Sequence, residues 1–325
     1  MKKRFQKTSR NYRPKLEYAS PMPHKRPTVL IVGCGDVGLK LVAWLRAKHP
    51  ASRLRIVATH RTAAKAATIR RAGAIPLHLD LDSPNPALAL SGIAHWTINL
   101  SPPPSDPTQK SSLAADPRSI GLAKLLCANA GTTVRNNLRR QRLTYISTSG
   151  VYGDCQGQWV SEERPLRPKN ARAHRRVAAE AIHRALGASV LRAPGIYGHD
   201  RLPLDRLKAG TPALVESEDT YTNHIHATDL ARLSWLALFR AKPKRVYNAS
   251  DDSVFKMGEY FDAVASAFGL PYPPRKTRAE IAREVSPMML SFMSESRRLS
   301  NTRLKREICS TLLYPTVADT LNSAL

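Results

Sequence analysis

Pro27-Thr28-Val29-Leu30-Ile31-Val32-Gly33-Cys34-Gly35-Asp36-Val37-Gly38 is the stretch on which the fold turns. Thr28 to Val32 form a short apolar run rich in β-branched residues, the pattern of a parallel strand buried on both faces. Gly33-Cys34-Gly35-Asp36-Val37-Gly38 spells GxGxxG and leads into Leu39 to Lys48, whose apolar spacing reads as an amphipathic helix. Strand, glycine loop and helix in that order make one βα unit at the start of the folded part.

Outward from this unit, the same alternation continues. Leu54 to Thr59 reads as a second strand, followed by a helix through about Arg71 and a third strand at Ile75 to Leu79. Strand-like Ala94 to Leu100 must end at Ser101-Pro102-Pro103-Pro104, because successive prolines cannot continue a central strand. A helix near Ile120 to Gly131 leads to the strand Leu143 to Ser147, and a helix at about Ala171 to Leu186 precedes the strand Ser189 to Leu191. The pattern predicts an α/β protein with a Rossmann-type, doubly wound parallel sheet over residues 28–195. Beyond Pro194 the pattern breaks up into helical stretches at Thr228 to Phe239, Met257 to Phe268 and Ala279 to Glu284, with strand-like Arg245 to Ala249 between the first two. Residues 196–325 are read as a smaller substrate-binding lobe that returns at least one strand to the main sheet.

The glycine loop in this setting is a dinucleotide fingerprint. Gly33 permits the tight turn, Gly35 admits a pyrophosphate to the backbone, and Gly38 lets the helix pack closely on the strand. The helix start at Asp36 and Val37 offers N–H groups and positive partial charge to phosphates. An NAD site places an acid about 20 residues past the loop to bind the ribose 2′-hydroxyl. No Asp or Glu occurs between Asp36 and Asp80, and the second strand runs into His60-Arg61. A guanidinium there attracts a 2′-phosphate, so NADP is expected over NAD; the other reading of Arg61 is a solvated helix-start residue. Asp80 is placed either to meet the adenine edge or to cap a loop, and Leu100, within Asn99 to Ser101, passes beneath the cofactor.

Composition narrows the class. The chain has 325 residues, 42% of them hydrophobic, enough for a substantial core. Cys34, Cys127, Cys155 and Cys309 form no CxxC pair, so neither a metal site nor a disulfide framework is expected, and a reducing cytoplasm fits. No apolar run reaches the roughly 20 residues needed to span a bilayer, so no membrane association is expected. Residues 1–27 hold nine lysines and arginines and one acid, Glu17, and read as a basic disordered tail, with targeting or nucleic-acid contact as the other readings. The net charge of +26 fits either phosphorylated ligands or non-specific nucleic-acid attraction.

Four further segments carry a more specific signal: Ser147-Thr148-Ser149-Gly150-Val151-Tyr152-Gly153, Leu191-Arg192-Ala193-Pro194-Gly195-Ile196-Tyr197-Gly198, Asn223 to Ala231, and Arg298 to Leu304. In type and order they resemble the landmarks of extended or atypical short-chain dehydrogenase/reductases, the NAD(P)-dependent epimerase/dehydratase-like proteins often called nucleoside-diphosphate-sugar epimerases. The resemblance covers about residues 28–320. It implies that Thr148 holds the catalytic Ser/Thr position, where the residue-level alternative is a hydroxyl that only ends a strand. It further implies that Pro194 and Ile196 lie near the nicotinamide carboxamide, that the substrate is a nucleotide-sugar or related polar compound, and that the protein forms a homodimer. His226 and Asp229 mark the return of the chain to the sheet, where a structural role competes with a functional one.

One landmark departs from the family. The helix after Thr148 should carry a Tyr, a Lys four residues on and commonly a Glu four beyond that, so that all three share a face. Aligned on Ala179-Glu180, those positions hold Arg172 and Arg176. Arginine has no acceptor atom and stays protonated, so it cannot cycle a proton near neutral pH. A literal Tyr-x-x-x-Lys at Tyr272 to Lys276 is interrupted by Pro273 and Pro274, which exclude a helix. Arg172 and Arg176 are therefore read as anion-holding groups, and His174, Tyr152 and Tyr197 as candidates for the proton. Three functions stay open: an NADP-dependent oxidoreductase or epimerase of unusual mechanism, a catalytically silent NADP-binding sensor or scaffold, and a Rossmann protein whose basic face binds nucleic acid.

Overall fold

The computed structural model describes residues 26–83, 90, 93–104, 115–127, 142–284, 290 and 293–323. The reading of the N-terminal stretch as a disordered tail lies outside the described residues but for its last two. The same holds for the end of the helix expected near Ile120 to Gly131, described as Pro117–Cys127.

β1 (Thr28–Val32) is buried at all five positions, as a central parallel strand must be. Its side chains alternate between the two faces of the sheet. Val29 and Ile31, with Ile56 and Ala58 of β2 (Arg55–His60), pack against Leu41, Val42 and Leu45 of α1 (Asp36–Lys48). On the other face, Leu30, Val32 and Val57 pack against Leu122, Leu125 and Leu126 of α3 (Pro117–Cys127). This alternation makes a three-layer sandwich out of a short apolar run.

With β3 (Ile75–His78), β4 (Trp96–Asn99), β5 (Arg142–Thr148), β7 (Ser189–Ala193) and β12 (Val246–Asn248), the main sheet has seven strands in the order β12-β7-β5-β4-β1-β2-β3. All of its pairings are parallel. The order reverses between β1 and β4, and that switch point is where a doubly wound sheet opens a crevice beyond its strand ends. Connecting helices are α2 (Ala63–Arg71), α4 (Ala171–Ala185) and, after α5 (Leu204–Lys208), α6 (Ala227–Arg240). α6 places Ala231, Trp235 and Leu238 in the α1 cluster and so shares that face.

The two halves interleave. β12 comes from the C-terminal half yet pairs with β7, Val246 opposite Val190. Conversely β6 (Trp159–Val160), from the first half, pairs with β15 (Arg298–Leu299) near the chain end. Asn248 binds the junction: its amide donates to the carbonyls of Val160 and Ser300, and its oxygen accepts from the Tyr152 hydroxyl at 2.8 Å. Around this seam lie α7 (Met257–Ala267), α8 (Arg278–Glu284), α9 (Thr302–Glu307), α10 (Val317–Asn322) and the short pairs β8 (Gly195–Tyr197) with β11 (His224–His226), β9 (Ala213–Leu214) with β14 (Arg275–Lys276), and β10 (Tyr221–Thr222) with β13 (Phe255–Lys256). Tyr272 is 65% exposed and precedes a strand, so Tyr272 and Lys276 share no helix face. Among the described residues no helix is long and apolar enough to cross a membrane.

Candidate functional site

Sheet order places the sequence-singled residues in one row. Along the carboxyl ends of β7, β5, β4, β1, β2 and β3 stand Pro194, Thr148, Leu100, Gly33, His60 and Asp80 in turn. At a strand spacing of about 4.8 Å, the five gaps make a row roughly 24 Å long, at the switch point where a doubly wound sheet binds ligands.

At its centre, Gly33 has φ +79°, and a Cβ there would come within 3.0 Å of the Ser101 backbone, so the fold itself requires glycine. Gly38 is tightly enclosed: a Cβ would press to 3.2 Å from Cys34 Sγ and 3.3 Å from a Leu100 methyl, which must give way for anything larger. Gly35 differs. Its φ is −87° and nothing lies within 4 Å of a Cβ built on it, so neither backbone strain nor packing calls for glycine. The residue leaves open space in front of the α1 N-terminus, whose first N–H groups have no intrahelical acceptor. The Asp36 carboxylate bonds Lys40 at 2.6 Å and Arg201 at 3.3 Å, which offsets its negative charge beside that opening; only the backbones of Asp36 and Val37 belong to the helix start.

At the β2–β3 end, His60 Nδ1 lies 3.0 Å from the Thr62 carbonyl and the ring meets His78 edge-on at 5.7 Å. Arg61 is 61% exposed and pairs with Asp82 at 3.1 Å. Arg118 of α3 grips the same carboxylate through Nε and Nη2, holding it below the usual Asp range, so one carboxylate serves two guanidinium groups, with Asp80 and Asp116 also acting on Arg118. Asp80 accepts the Asp82 backbone N–H at 3.0 Å, so one of its oxygens caps the loop. Arg118 and Asp82 escaped sequence reasoning because 36 residues separate them.

At the β5 end, Thr148 Oγ1 accepts the Gly150 N–H at 3.2 Å, which leaves the hydroxyl hydrogen for donation to another oxygen. Pro194 and Ile196 are half-buried beside it, since Thr148 pairs with Ala193. The two arginines of α4 part company. Arg172 is exposed, whereas Arg176 is 8% exposed and its Nη1 donates to the Ile146 carbonyl and the Tyr145 hydroxyl, each at 3.0 Å. Arg176 Nε is buried without an acceptor.

The expected family glutamate position holds a built interaction. Glu180 receives Arg192 through two hydrogen bonds of 3.0 and 2.6 Å and the Ser147 hydroxyl at 2.6 Å, with both ionic side chains 3% exposed. His183, one turn on, stacks on Tyr145 at 4.0 Å and bonds the Asn99 amide at 2.8 Å; burial depresses it to about 4, so it is neutral. Asp116 is buried at the start of α3, binds Ser119, and is raised above the ordinary Asp range by that burial. The family pattern located Glu180, but no motif announced His183 or Asp116, and the partners of all three meet only in the fold.

Two of the three proton candidates are engaged elsewhere. The Tyr152 hydroxyl donates to Asn248, and burial pushes it up to about 12. The Tyr197 hydroxyl donates to the Thr316 carbonyl and is raised by burial. His174 is exposed on α4. His226 Nδ1 accepts the Thr228 N–H at the start of α6, and Asp229, fully buried, accepts the Leu313 and Tyr314 N–H groups; both tie the chain together. Among the described residues no cluster of His, Cys, Asp and Glu is arranged to hold a metal ion.

No protein-family model and no curated protein matches the chain. Solved structures do. A functionally unknown conserved protein from Silicibacter pomeroyi is 29% identical, with a TM-score of 0.74 over 92% of this chain and 98% of that one. A dTDP-glucose 4,6-dehydratase from Bacillus anthracis, in complex with NAD, is 15% identical, with a TM-score of 0.68 over 92% and 95% of the two chains. A human epimerase family protein with NADPH is 16% identical, with a TM-score of 0.67 over 91% and 98%. The fold is that of epimerase/dehydratase proteins, the family that the sequence motifs resemble.

Proposed function

We propose that the chain binds NADP along the strand-end crevice and acts as an oxidoreductase or epimerase on a nucleotide-sugar or related polar carbonyl or alcohol compound. The observation that carries this reading is Gly35, the N-cap of α1, which leaves open space in front of the helix N-terminus where a phosphate would approach. The orphaned Arg176 Nε fits the same occupant, offering a buried donor where the family's lysine would meet the nicotinamide ribose. At the other end, Arg61 and Arg118, which share the Asp82 carboxylate, would face the adenosine 2′-phosphate. NADP would supply the hydride acceptor or donor. Thr148 would donate its free hydroxyl hydrogen to the substrate's reacting oxygen. Arg172 would present a fixed positive charge to an anionic substrate group, and Arg176, anchored through Nη1, would hold its remaining donors in place. Neither arginine moves a proton, so that step would fall to His174 or to solvent.

The second reading, a cofactor-binding protein without turnover, is favoured by the engagement of Tyr152 and Tyr197 in the seam. NADPH oxidation measured across nucleotide-sugars and small carbonyls separates the two: turnover supports an enzyme, and tight binding with none supports a sensor. Gly35→Ala should weaken NADPH binding at least about tenfold, with thermal stability lowered by no more than about 1 kcal/mol. An unchanged affinity would remove the argument from Gly35.

A further inference from the structure

At the β12 edge of the sheet lies a cavity of about 540 Å³ that shares no lining residue with the strand-end crevice. Arg164, Arg184, Arg192, Lys242, Lys244, Arg245 and Arg303 line it, and Glu162 is the one acid among the described lining residues. Three of these cations have carboxylate partners: Arg192 with Glu180, Arg245 with Glu307, and Arg303 with Glu162 and Glu163. Among the described residues Arg164, Arg184, Lys242 and Lys244 have none. The cations come from the segment before α4, the end of α4, β7, the turn before β12, and α9, so they converge from five parts of the chain.

Two buried donors there lack acceptors. Arg192, 3% exposed and the most buried of the lining residues, has no acceptor for Nη1, and Arg245 has none for Nε. Both residues line the cavity, so their guanidinium groups add to its positive charge. The rim adds a further sign. Lys242 to Arg245 form a turn closed by the Arg245 N–H on the Lys242 carbonyl, with Pro243 second and Lys244 third at φ +64°. That third position favours glycine, yet it carries a lysine, which is held at the rim by the Arg184 Nε bond to its carbonyl at 3.0 Å.

We propose that this cavity is a second anion site, taking a small ligand with two or more linked phosphoryl groups. Guanidinium forks match phosphoryl oxygens two at a time, and cations spread over five segments suit a short chain of phosphoryl groups better than a single ion. The convergence of five segments on one opening favours a compact anion over a polymer backbone, which would run along a surface stripe. The site stands independently of the dinucleotide reading.

Calorimetric titration with tripolyphosphate tests it. Saturable binding is expected, retained in Gly35→Ala and weakened about tenfold or more in Arg184→Gln/Lys244→Gln. The exposed pair Arg70→Gln/Arg71→Gln on α2 makes the same change in net charge and should bind within about threefold of the unaltered protein. If the cavity pair fails to fold, Lys242→Gln serves with the same expected direction. Absence of saturable binding overturns the proposal, as does an equal loss in the α2 pair, which would mean charge alone, or a loss in Gly35→Ala, which would put the anion in the glycine loop. A single-stranded oligonucleotide that binds more tightly than tripolyphosphate and depends on the same cavity residues would also overturn it, in favour of nucleic acid.

Discussion

Glu180 and Arg192 form the ion pair on which the α4–β7 contact rests, and their burial decides what a substitution there does. Glu180→Gln keeps an acceptor for Ser147 but leaves the Arg192 charge buried without a partner. Such losses cost about 3–5 kcal/mol, so chemical denaturation should show a drop of that size; a change below about 1 kcal/mol would mean that water reaches Arg192. This pair was half legible. Alignment on Ala179-Glu180 located the glutamate, but nothing in the sequence marked Arg192, twelve residues on, as its partner. Arg172 and Arg176 were legible as substitutions for Tyr and Lys, while their opposite burial was not, because only the fold turns one toward Ile146 and leaves the other in solvent.

At the level of elements, the long parallel strands and their helices could be read because each buries a continuous or periodic apolar set. β1 through α1 is the clearest case. The two-residue strands β6, β9, β10, β13, β14 and β15 could not, since their pairing partners lie far away in sequence and two residues carry no period. The contact between α1 and the sheet also sets the crevice width. Gly38→Ala would force Cys34 and Leu100 apart by a few tenths of an ångström, so it should lower stability by about 1–3 kcal/mol while altering NADPH affinity in parallel. Thermal denaturation with and without NADPH checks both; a neutral effect on each would mean that α1 is free to shift outward.

For the molecule as a whole, buried titratable groups set a pH window. Burial lowers His183 to about 4, His224 to about 3 and His226 to about 4, so each is neutral when folded, and the unfolded chain binds more protons below about pH 6.5. Stability should therefore fall as pH drops from about 6.5 toward 4. Asp251 acts oppositely: burial raises it to about 8, the folded state holds the extra proton, and stability should decline as pH rises from about 4 toward 8. Denaturation midpoints across pH 4 to 9 should flatten on the alkaline side in Asp251→Asn; an unchanged slope would mean that Asp251 is ionised in the fold. The excess of positive charge was plain in the sequence, but its concentration around the β12 edge was not, because five separate segments supply it. The account turns on the crevice beyond β1 and β2, and fluorescence titration of the unaltered protein and of Arg61→Ala with NADPH and NADH tests it most directly. Saturable NADPH binding, tighter than NADH by about tenfold or more, with that margin reduced in Arg61→Ala, is the predicted result. No saturable association with either nucleotide, or a preference for NADH, would contradict it.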